Sequence, residues 1–353
     1  MYSNNSIIPE HGGILPRSGA ADMLDFSANL NPLGMPDNVR AELERTVGDW
    51  ERYPDPDCAE LAERLSERLG VPSENIVCGS GAADLIYRII GAVHPKHGLV
   101  ADPCFSEYRK AFQENGIPVT GLMLYEETGF AVHENILNQV SNIRKGYMLV
   151  FASPNNPTGR VISRNFLQWL CTECERLGVY FLCDECFLDL TENTVSVLEF
   201  MNPNVIMLSA FTKTYAMAGL RLGYAVFGDK RLAETVRRRG QYWSVSAPAQ
   251  TAGIAAIDSG DYLERSRRLI AEQRGFLTER LSELGIKVFP SDVNFLLIKS
   301  ELPLYEALFE RGIVIRRCAN FGGLDKRFYR IAVRTESENE KLIEAVKELF
   351  NTN

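Results

Sequence analysis

Short apolar runs alternate with helix-like segments through the middle of the chain, and this alternation limits the possible folds more than any other feature. The helix-like segments include "GAADLIYRIIGAV" and "SEYRKAFQENG". Strands this short and apolar, separated by helices, predict a mostly parallel sheet that is covered on both faces. The apolar runs are "NIVCG", "HGLVAD", "GYMLVFAS", "VYFLCDE", "NVIMLSAF" and "LGYAVFG".

The pattern changes near Asp261. A long charged helix over 262–284 precedes four strand-like runs, "GIKVFP", "NFLLIK", "GIVIRR" and "FYRIAV". This part predicts a smaller α/β domain that the N-terminal arm completes. We therefore expect an α/β protein with three parts: an arm and part of the small domain at 1–45, a large domain at 46–258, and the small C-terminal domain at 259–353.

Charge and hydropathy exclude several classes of partner. The 353-residue chain has a formal net charge of −8 and no long basic run, so a nucleic-acid partner is not expected. No apolar run reaches the roughly 18 residues that a membrane span needs. The start "MYSNNSIIPEHGG" lacks the charged and apolar regions of a secretory signal, so the cytoplasm is the expected location.

Two CxxC pairs, Cys171/Cys174 and Cys183/Cys186, superficially resemble a zinc site. The first pair lies in the amphipathic segment "RNFLQWLCTECERLG", whereas Cys183 ends a strand-like run. Neighbouring side chains of a strand face opposite ways, so one converging site is not expected. Buried, reduced thiols and no metal are the prediction.

Polar residues follow four of the apolar runs, at the strand ends where parallel sheets bind ligands. The segments are "GSGAAD", "SPNNPTG", "DECF" and "TK". An amine in apolar company, Lys213, is a usable nucleophile or Schiff-base former. Asp184 could keep a pyridine nitrogen protonated, and Asn156 could donate to a phenolic oxygen. The helix start at Gly81, Ala82 and Ala83, together with Arg221, could hold a phosphate. These groups together predict pyridoxal 5′-phosphate.

Three motifs resemble the fold-type-I aminotransferases, in the branch that contains histidinol-phosphate aminotransferase. They are "SPNNPTG" (153–159), "DE" (184–185) and "TKTYAMAGLRLGY" (212–224). Other stretches resemble more closely the L-threonine-O-3-phosphate decarboxylases of cobalamin biosynthesis: "HGG" (11–13), "DFSANLNPLGMP" (25–36), "YWSVSAPAQ" (242–250) and "VIRRCANFGGLDKRFYRIAVR" (314–334). The resemblance covers nearly the whole chain and implies a seven-stranded sheet in the large domain.

The resemblance also implies roles for individual residues. Lys213 would carry the cofactor covalently, Phe105 would stack on its ring, and Thr212 would join the phosphate site. Tyr53 would reach the cofactor of a partner subunit, which implies a homodimer. The implied contacts to a small phosphorylated amino-acid substrate come from His11, Gly12, Asn31, Arg316 and Arg330. Strand alternation lets only one of Arg316 and Arg317 face the site.

Two positions depart from the aminotransferase pattern. Phe187 stands where many aminotransferases have a tyrosine, and Ala210 where relatives often have Ser or Thr. The phenylalanine is shared with the decarboxylases and weakens the transaminase interpretation. Three hypotheses follow: decarboxylation of threonine phosphate, transamination of histidinol phosphate or an aromatic amino acid with 2-oxoglutarate, and a cofactor-binding regulator. The last is disfavoured because every catalytic position is filled.

Overall fold

The computed structural model describes residues 11–14, 22–192 and 195–351. Much of the predicted arm, residues 1–10 and 15–21, therefore lies outside the described residues, as does most of the segment tested for a secretory signal. The described strands are β1 (Leu24–Asp25), β2 (Ile76–Gly79), β3 (His97–Asp102), β4 (Val119–Met123), β5 (Tyr147–Ala152), β6 (Tyr180–Asp184), β7 (Val205–Ala210), β8 (Gly223–Phe227), β9 (Lys287–Val288), β10 (Phe295–Lys299), β11 (Ile313–Val314), β12 (Arg316–Arg317) and β13 (Phe328–Ala332).

Helices connect the strands and cover the sheets. They are α1 (Asp37–Arg45), α2 (Ala59–Leu69), α3 (Gly81–Val93), α4 (Ser106–Glu114), α5 (Arg164–Leu177), α6 (Phe211–Thr214), α7 (Lys230–Arg239), α8 (Ala247–Ile257), α9 (Tyr262–Glu283), α10 (Leu304–Phe309) and α11 (Glu336–Asn351).

The large sheet has seven strands in the order β2-β8-β7-β6-β5-β3-β4. β8 runs antiparallel to both neighbours, and the remaining pairings are parallel. The predicted seven-stranded, mostly parallel sheet is therefore confirmed. Because both faces are covered, alternate residues of one strand enter different apolar clusters: Leu149 and Phe151 pack on one side of β5, and Met148 and Val150 on the other.

The C-terminal part forms an antiparallel sheet in the order β12-β13-β10-β9. β1, from the N-terminal region, pairs in parallel with β11. A third apolar cluster packs against this part, with Phe26, Ile298 and Ile331 among its members. Helix α9 contributes Ile270 to a cluster of the large sheet and Leu277 to the third cluster. The domain limits 1–45, 46–258 and 259–353 remain predictions.

No helix in the described ranges is both long and apolar enough to cross a membrane. The eight cysteines are free and buried. Cys171, Cys174 and Cys183 belong to one apolar cluster, whereas Cys186 belongs to the cluster on the other side of the sheet. Across the described part of the chain, no group of three or more His, Cys, Asp or Glu side chains could hold a metal ion.

Candidate active site

A cavity of about 430 Å³ lies at the carboxyl ends of β5, β6 and β7. It brings together most of the predicted site residues, from strand ends that are far apart in the sequence. The predicted residues that line it are His11, Gly12, Ala82, Ala83, Phe105, Asn156, Asp184, Thr212, Lys213, Arg221 and Arg330. A larger cavity, of about 970 Å³, lies beside the small sheet and is lined by Arg316 and Arg317. We take the smaller cavity as the site because a buried amine and a buried carboxylate converge there.

Lys213 lies on the short helix α6, directly after strand β7. Burial lowers the pKa of its amine to about 8, and the positive charges of Arg330 and Arg221 act in the same direction. The uncharged, nucleophilic amine is therefore populated closer to neutral pH than in an exposed lysine. This is the environment that a lysine needs in order to bond to an aldehyde.

Asp184 ends strand β6 and is buried. Its Oδ2 accepts a hydrogen bond from the Tyr108 hydroxyl at 2.5 Å, and its Oδ1 accepts one from the backbone N–H of Cys186 at 2.9 Å. Burial raises the pKa of the carboxyl group, and these hydrogen bonds oppose the rise. No Lys, Arg or His side chain of the described residues forms an ion pair with Asp184, so a cationic ring nitrogen would supply the charge that burial leaves uncompensated.

The predicted phosphate-binding site requires Arg221 and strand β8 to lie very close to the start of helix α3. Gly81 begins helix α3 with φ +86°, and a Cβ on it would lie 2.7 Å from Nη2 of Arg221. A Cβ on Gly223, at the start of β8, would lie 2.8 Å from the backbone nitrogen of Ala82. Glycines at these two positions let β8 and Arg221 reach the helix N-terminus. A helix N-terminus beside a guanidinium is suited to a phosphate.

Arg330 reaches the cavity from β13 of the small sheet. One terminal nitrogen donates to Oδ1 of Asn156, and Nη2 donates to the backbone oxygen of Ser27 at 2.7 Å. Burial lowers the pKa of Arg330 to about 10. No carboxylate of the described residues pairs with this guanidinium. Its hydrogen bond to Asn156 leaves the Nδ2 amide group of Asn156 as a donor for a ligand.

Strand pairing separates the two neighbouring arginines of β12. Arg316 lies directly opposite Arg330 in the antiparallel register and is buried, so both Cβ atoms are on one face of the sheet. Arg317 is exposed and its guanidinium lies 4.1 Å from the Tyr305 ring centroid. Arg316 is therefore the arginine on the Arg330 side, although its Nη2 is bonded to Asn320 Oδ1 at 2.9 Å and it does not line the cofactor-sized cavity.

Asn31 was expected to contact the substrate, but in the structure it lies outside the cavity. Its side-chain amide is hydrogen-bonded to the backbone instead. Its Nδ2 donates to the Thr214 oxygen at 2.8 Å, and its backbone N–H donates to the Lys213 oxygen at 3.1 Å. Asn31 thus supports the segment that carries the lysine. Two residues earlier, Asn29 lines the cavity, is buried, and has an Oδ1 without a hydrogen-bond partner among the described residues.

Four further positions complete the comparison with the sequence predictions. Tyr53 is 79% exposed, stacks on Trp243 with ring centroids 4.4 Å apart, and does not line this chain's cavity. Phe187 lines the cavity and therefore presents no hydroxyl to it. Tyr108 and Glu107, which were not predicted, also line the cavity. The sequence feature that could have identified them is their position just after Phe105, in the first turn of a helix that follows a strand.

The cavity fits pyridoxal phosphate on chemical grounds. It combines a buried amine, a buried carboxylate without an ion-pair partner among the described residues, an amide donor, and a helix N-terminus beside an arginine. These four groups are what the aldehyde, the ring nitrogen, the phenolic oxygen and the phosphate of that cofactor require.

Comparisons with known proteins agree with this geometry. The family model described as "Aminotransferase class I and II" matches residues 21–346. The chain is 32% identical to the threonine-phosphate decarboxylase of Salmonella typhimurium, over 96% of both chains. It is also 30% identical to the histidinol-phosphate aminotransferase of Symbiobacterium thermophilum, over 93% of this chain and 91% of that protein.

Among solved structures, the histidinol-phosphate aminotransferase of Clostridium acetobutylicum superposes with a TM-score of 0.87 at 27% identity. The match covers 94% of this chain and all of that one. The expected family is thereby confirmed, and with it the dependence on pyridoxal phosphate. The chain belongs to the class I and II aminotransferase family of pyridoxal-phosphate-dependent enzymes.

Proposed function

We propose that the protein decarboxylates L-threonine O-3-phosphate to (R)-1-amino-2-propanol O-2-phosphate, a carboxy-lyase reaction of cobalamin biosynthesis. The observation that carries the proposal is Arg330, a buried guanidinium that lines the cofactor-sized cavity, forms no ion pair among the described residues and lies directly opposite a second buried arginine, Arg316. A buried guanidinium without an ion-pair partner is suited to an anionic group of the substrate, such as a carboxylate. Threonine phosphate carries a carboxylate and a phosphate, whereas histidinol phosphate carries a phosphate only. The similarity to the Salmonella typhimurium protein supports the same substrate.

In this proposal the cofactor takes the geometry described above. Bound pyridoxal phosphate withdraws electrons from the Cα of the amino acid joined to it. Lys213 would hold the cofactor covalently, Asp184 would face its ring nitrogen, Asn156 would donate to its phenolic oxygen, and Phe105 would stack on its ring. The phosphate would be bound by Gly81, Ala82, Ala83, Thr212 and Arg221.

The chain's own groups would then do two things. Arg330, together with the nearby Arg316, His11, Gly12 and Asn29, would bind and orient the substrate's polar groups. When the bond from Cα to the carboxyl carbon breaks, CO₂ leaves and a proton must take its place on Cα. The Lys213 amine, released when the substrate's amino group takes its place and then protonated, would deliver that proton, since it lies in the same cavity and has a pKa near 8.

The second candidate is an aminotransferase that acts on histidinol phosphate or an aromatic amino acid with 2-oxoglutarate, and the relative from Symbiobacterium thermophilum favours it. The two functions share the lysine and the aspartate, so product analysis must separate them. We expect the holoenzyme to release CO₂ from threonine phosphate and to form aminopropanol phosphate without a keto acid. Turnover that requires 2-oxoglutarate, yields glutamate and releases no CO₂ would establish the aminotransferase instead.

Asp184→Asn should lower kcat by about 10²-fold or more while the protein stays folded, because a neutral amide cannot hold a proton on the ring nitrogen by charge. The asparagine side chain has only one acceptor oxygen. It can therefore keep only one of the two hydrogen bonds that Asp184 accepts, from the Tyr108 hydroxyl or from the Cys186 N–H. Steady-state kinetics at saturating cofactor, with cofactor content measured by absorbance, tests this. A variant with bound cofactor and kinetic constants near those of the native enzyme would contradict the role of Asp184.

We also propose a cytoplasmic homodimer. Tyr53 supports the dimer, because its side chain is largely exposed and does not line the cavity of its own subunit. This is expected of a residue that contacts the cofactor of a partner subunit. Eight free cysteines suit a reducing compartment. Sedimentation equilibrium of the native protein measures the number of subunits directly.

A further inference from the structure

At the rim of the cavity, the ring of His11 contacts a carboxylate that the cofactor does not require. Nε2 of His11 lies 3.3 Å from Oε1 of Glu107. The same ring meets Phe105 edge-on, with the centroids 5.6 Å apart. Both His11 and Glu107 line the cavity. The imidazole of the arm is therefore held between an aromatic ring and a carboxylate.

Glu107 is itself fixed from the opposite side. The hydroxyl of Tyr87, on helix α3, donates to Oε2 of Glu107 at 2.9 Å. The Glu107 side chain is 14% exposed, whereas that of His11 is 48% exposed. The carboxylate is thus the more firmly held member of the pair, with one oxygen used by Tyr87 and the other directed to His11. A fixed acceptor can orient an exposed imidazole, but the reverse does not hold.

Other contacts hold the arm's backbone and do not involve the His11 ring. The N–H of Gly13 donates to Ser27 Oγ at 2.8 Å, and the N–H of Ile14 donates to Asp25 Oδ2 at 3.0 Å. A Cβ on Gly12 would lie 2.5 Å from the Ser27 oxygen, so the arm is in close contact with the residues that follow β1. Within the described ranges, Glu107 is the charged group at ion-pair distance from the imidazole.

The charges around this pair favour an anionic ligand. The other ionisable side chains that line the cavity are Tyr108, Asp184, Cys186, Lys213, Arg221 and Arg330. Asp184 is already bonded to Tyr108, and Lys213 and Arg221 belong to the proposed cofactor set. Arg330, Asn29 and His11 are left for a substrate. A substrate with two anionic groups needs a donor for the second group besides Arg330.

We propose that Glu107 is a positioning residue for His11: by accepting from Nε2, it orients the ring so that Nδ1 donates to the substrate's phosphate. The inference rests on the proposed function, because it assumes a phosphorylated substrate. With one nitrogen bonded to a carboxylate and the other to a phosphate, both ring nitrogens act as donors. Glu107 thereby favours phosphorylated substrates over analogues that lack the phosphate, and it acts through His11 alone.

Kinetics of Glu107→Gln with threonine phosphate test this positioning. We expect KM to rise about 5- to 10-fold and kcat to change by less than about 2-fold, since a donor to the ground-state phosphate is weakened and the lysine is untouched. The matched control is Glu114→Gln, which removes the same charge from an exposed position on the same helix and should match the native enzyme. In a His11→Ala background, Glu107→Gln should add nothing further. An additional loss in the double variant, or an unchanged KM in the single one, would overturn the proposal.

Chemical modification provides a readout that does not depend on the substrate. Diethyl pyrocarbonate acylates accessible imidazole nitrogens, and mass spectrometry reports the rate at each of the four histidines. In the holoenzyme, Glu107→Gln should raise the rate at His11 several-fold and leave that at His133 unchanged. Equal rates at His11 in the native and variant enzymes would overturn the role of Glu107. If the native enzyme released no CO₂, the proposed decarboxylation would fail, and this comparison would still decide the contact.

Discussion

Lys213→Ala is expected to lower kcat by about 10³-fold or more without unfolding the protein. The amine is buried on α6, directly after β7, where its pKa is lowered to about 8, and the variant has no other amine in the lining of the cavity within the described residues. Both proposed tasks of the side chain, the covalent bond to the cofactor and proton delivery to Cα, therefore disappear together. The fold should survive, because Lys213 forms no ion pair among the described residues and its removal therefore deprives no other buried charge of a partner.

The measurement combines kinetics with intact mass. After borohydride reduction, the native chain should retain the mass of one covalently bound cofactor, and the variant should not. Lys213→Arg is an informative second variant, since it keeps a positive charge in the cavity but cannot form the bond. Lys326→Ala, at an exposed position, is the matched control and should resemble the native enzyme in both assays. Cofactor still covalently attached to the Lys213→Ala variant would contradict the assignment.

The main sheet and the cofactor groups could be predicted from sequence because both depend on local pattern. A strand buried on both faces needs a continuous apolar run, and "NVIMLSA" is such a run up to the residue before α6. The carboxyl ends of parallel strands meet at one edge, so Asp184 and Lys213 could be expected in one cavity from the order of the runs alone.

Residues of the arm and the small sheet were harder to assign, because their side-chain directions depend on distant contacts. Asn29 and Asn31 are two positions apart and chemically identical, yet only the contacts with Thr214 and Ser266 decide that Asn31 faces away from the cavity. Likewise, the choice between Arg316 and Arg317 depends on the register of β12 against β13, which no local pattern contains.

Arg330→Ala is expected to lower kcat/KM for threonine phosphate by about 10²- to 10³-fold, the range that follows from losing a buried charge-assisted contact of a few kcal/mol. The guanidinium is buried and forms no ion pair with a carboxylate of the described residues. Its bonds to Asn156 and to the Ser27 oxygen fix it at the junction of the two sheets. Arg317→Ala is the matched control: it removes the same group from the neighbouring, outward-facing position and should change kcat/KM by less than about 3-fold.

The cofactor content of Arg330→Ala must be measured at the same time, because Asn156 loses its partner in this variant and would hold the cofactor less firmly. With saturating cofactor, activity near that of the native enzyme would show that Arg330 does not bind the substrate.

The same variant can identify which anionic group Arg330 binds. Aminopropanol phosphate, the proposed product, has the phosphate of the substrate but lacks its carboxylate. If Arg330 binds the carboxylate, Arg330→Ala should weaken the binding of threonine phosphate by about 10²-fold or more. The inhibition constant of aminopropanol phosphate should then stay within about 3-fold of the native value. If Arg330 binds the phosphate, the variant should bind both threonine phosphate and aminopropanol phosphate more weakly, by similar factors. We expect the first result, because the His11 ring positioned by Glu107 then remains for the phosphate, so that each anionic group has its own donor.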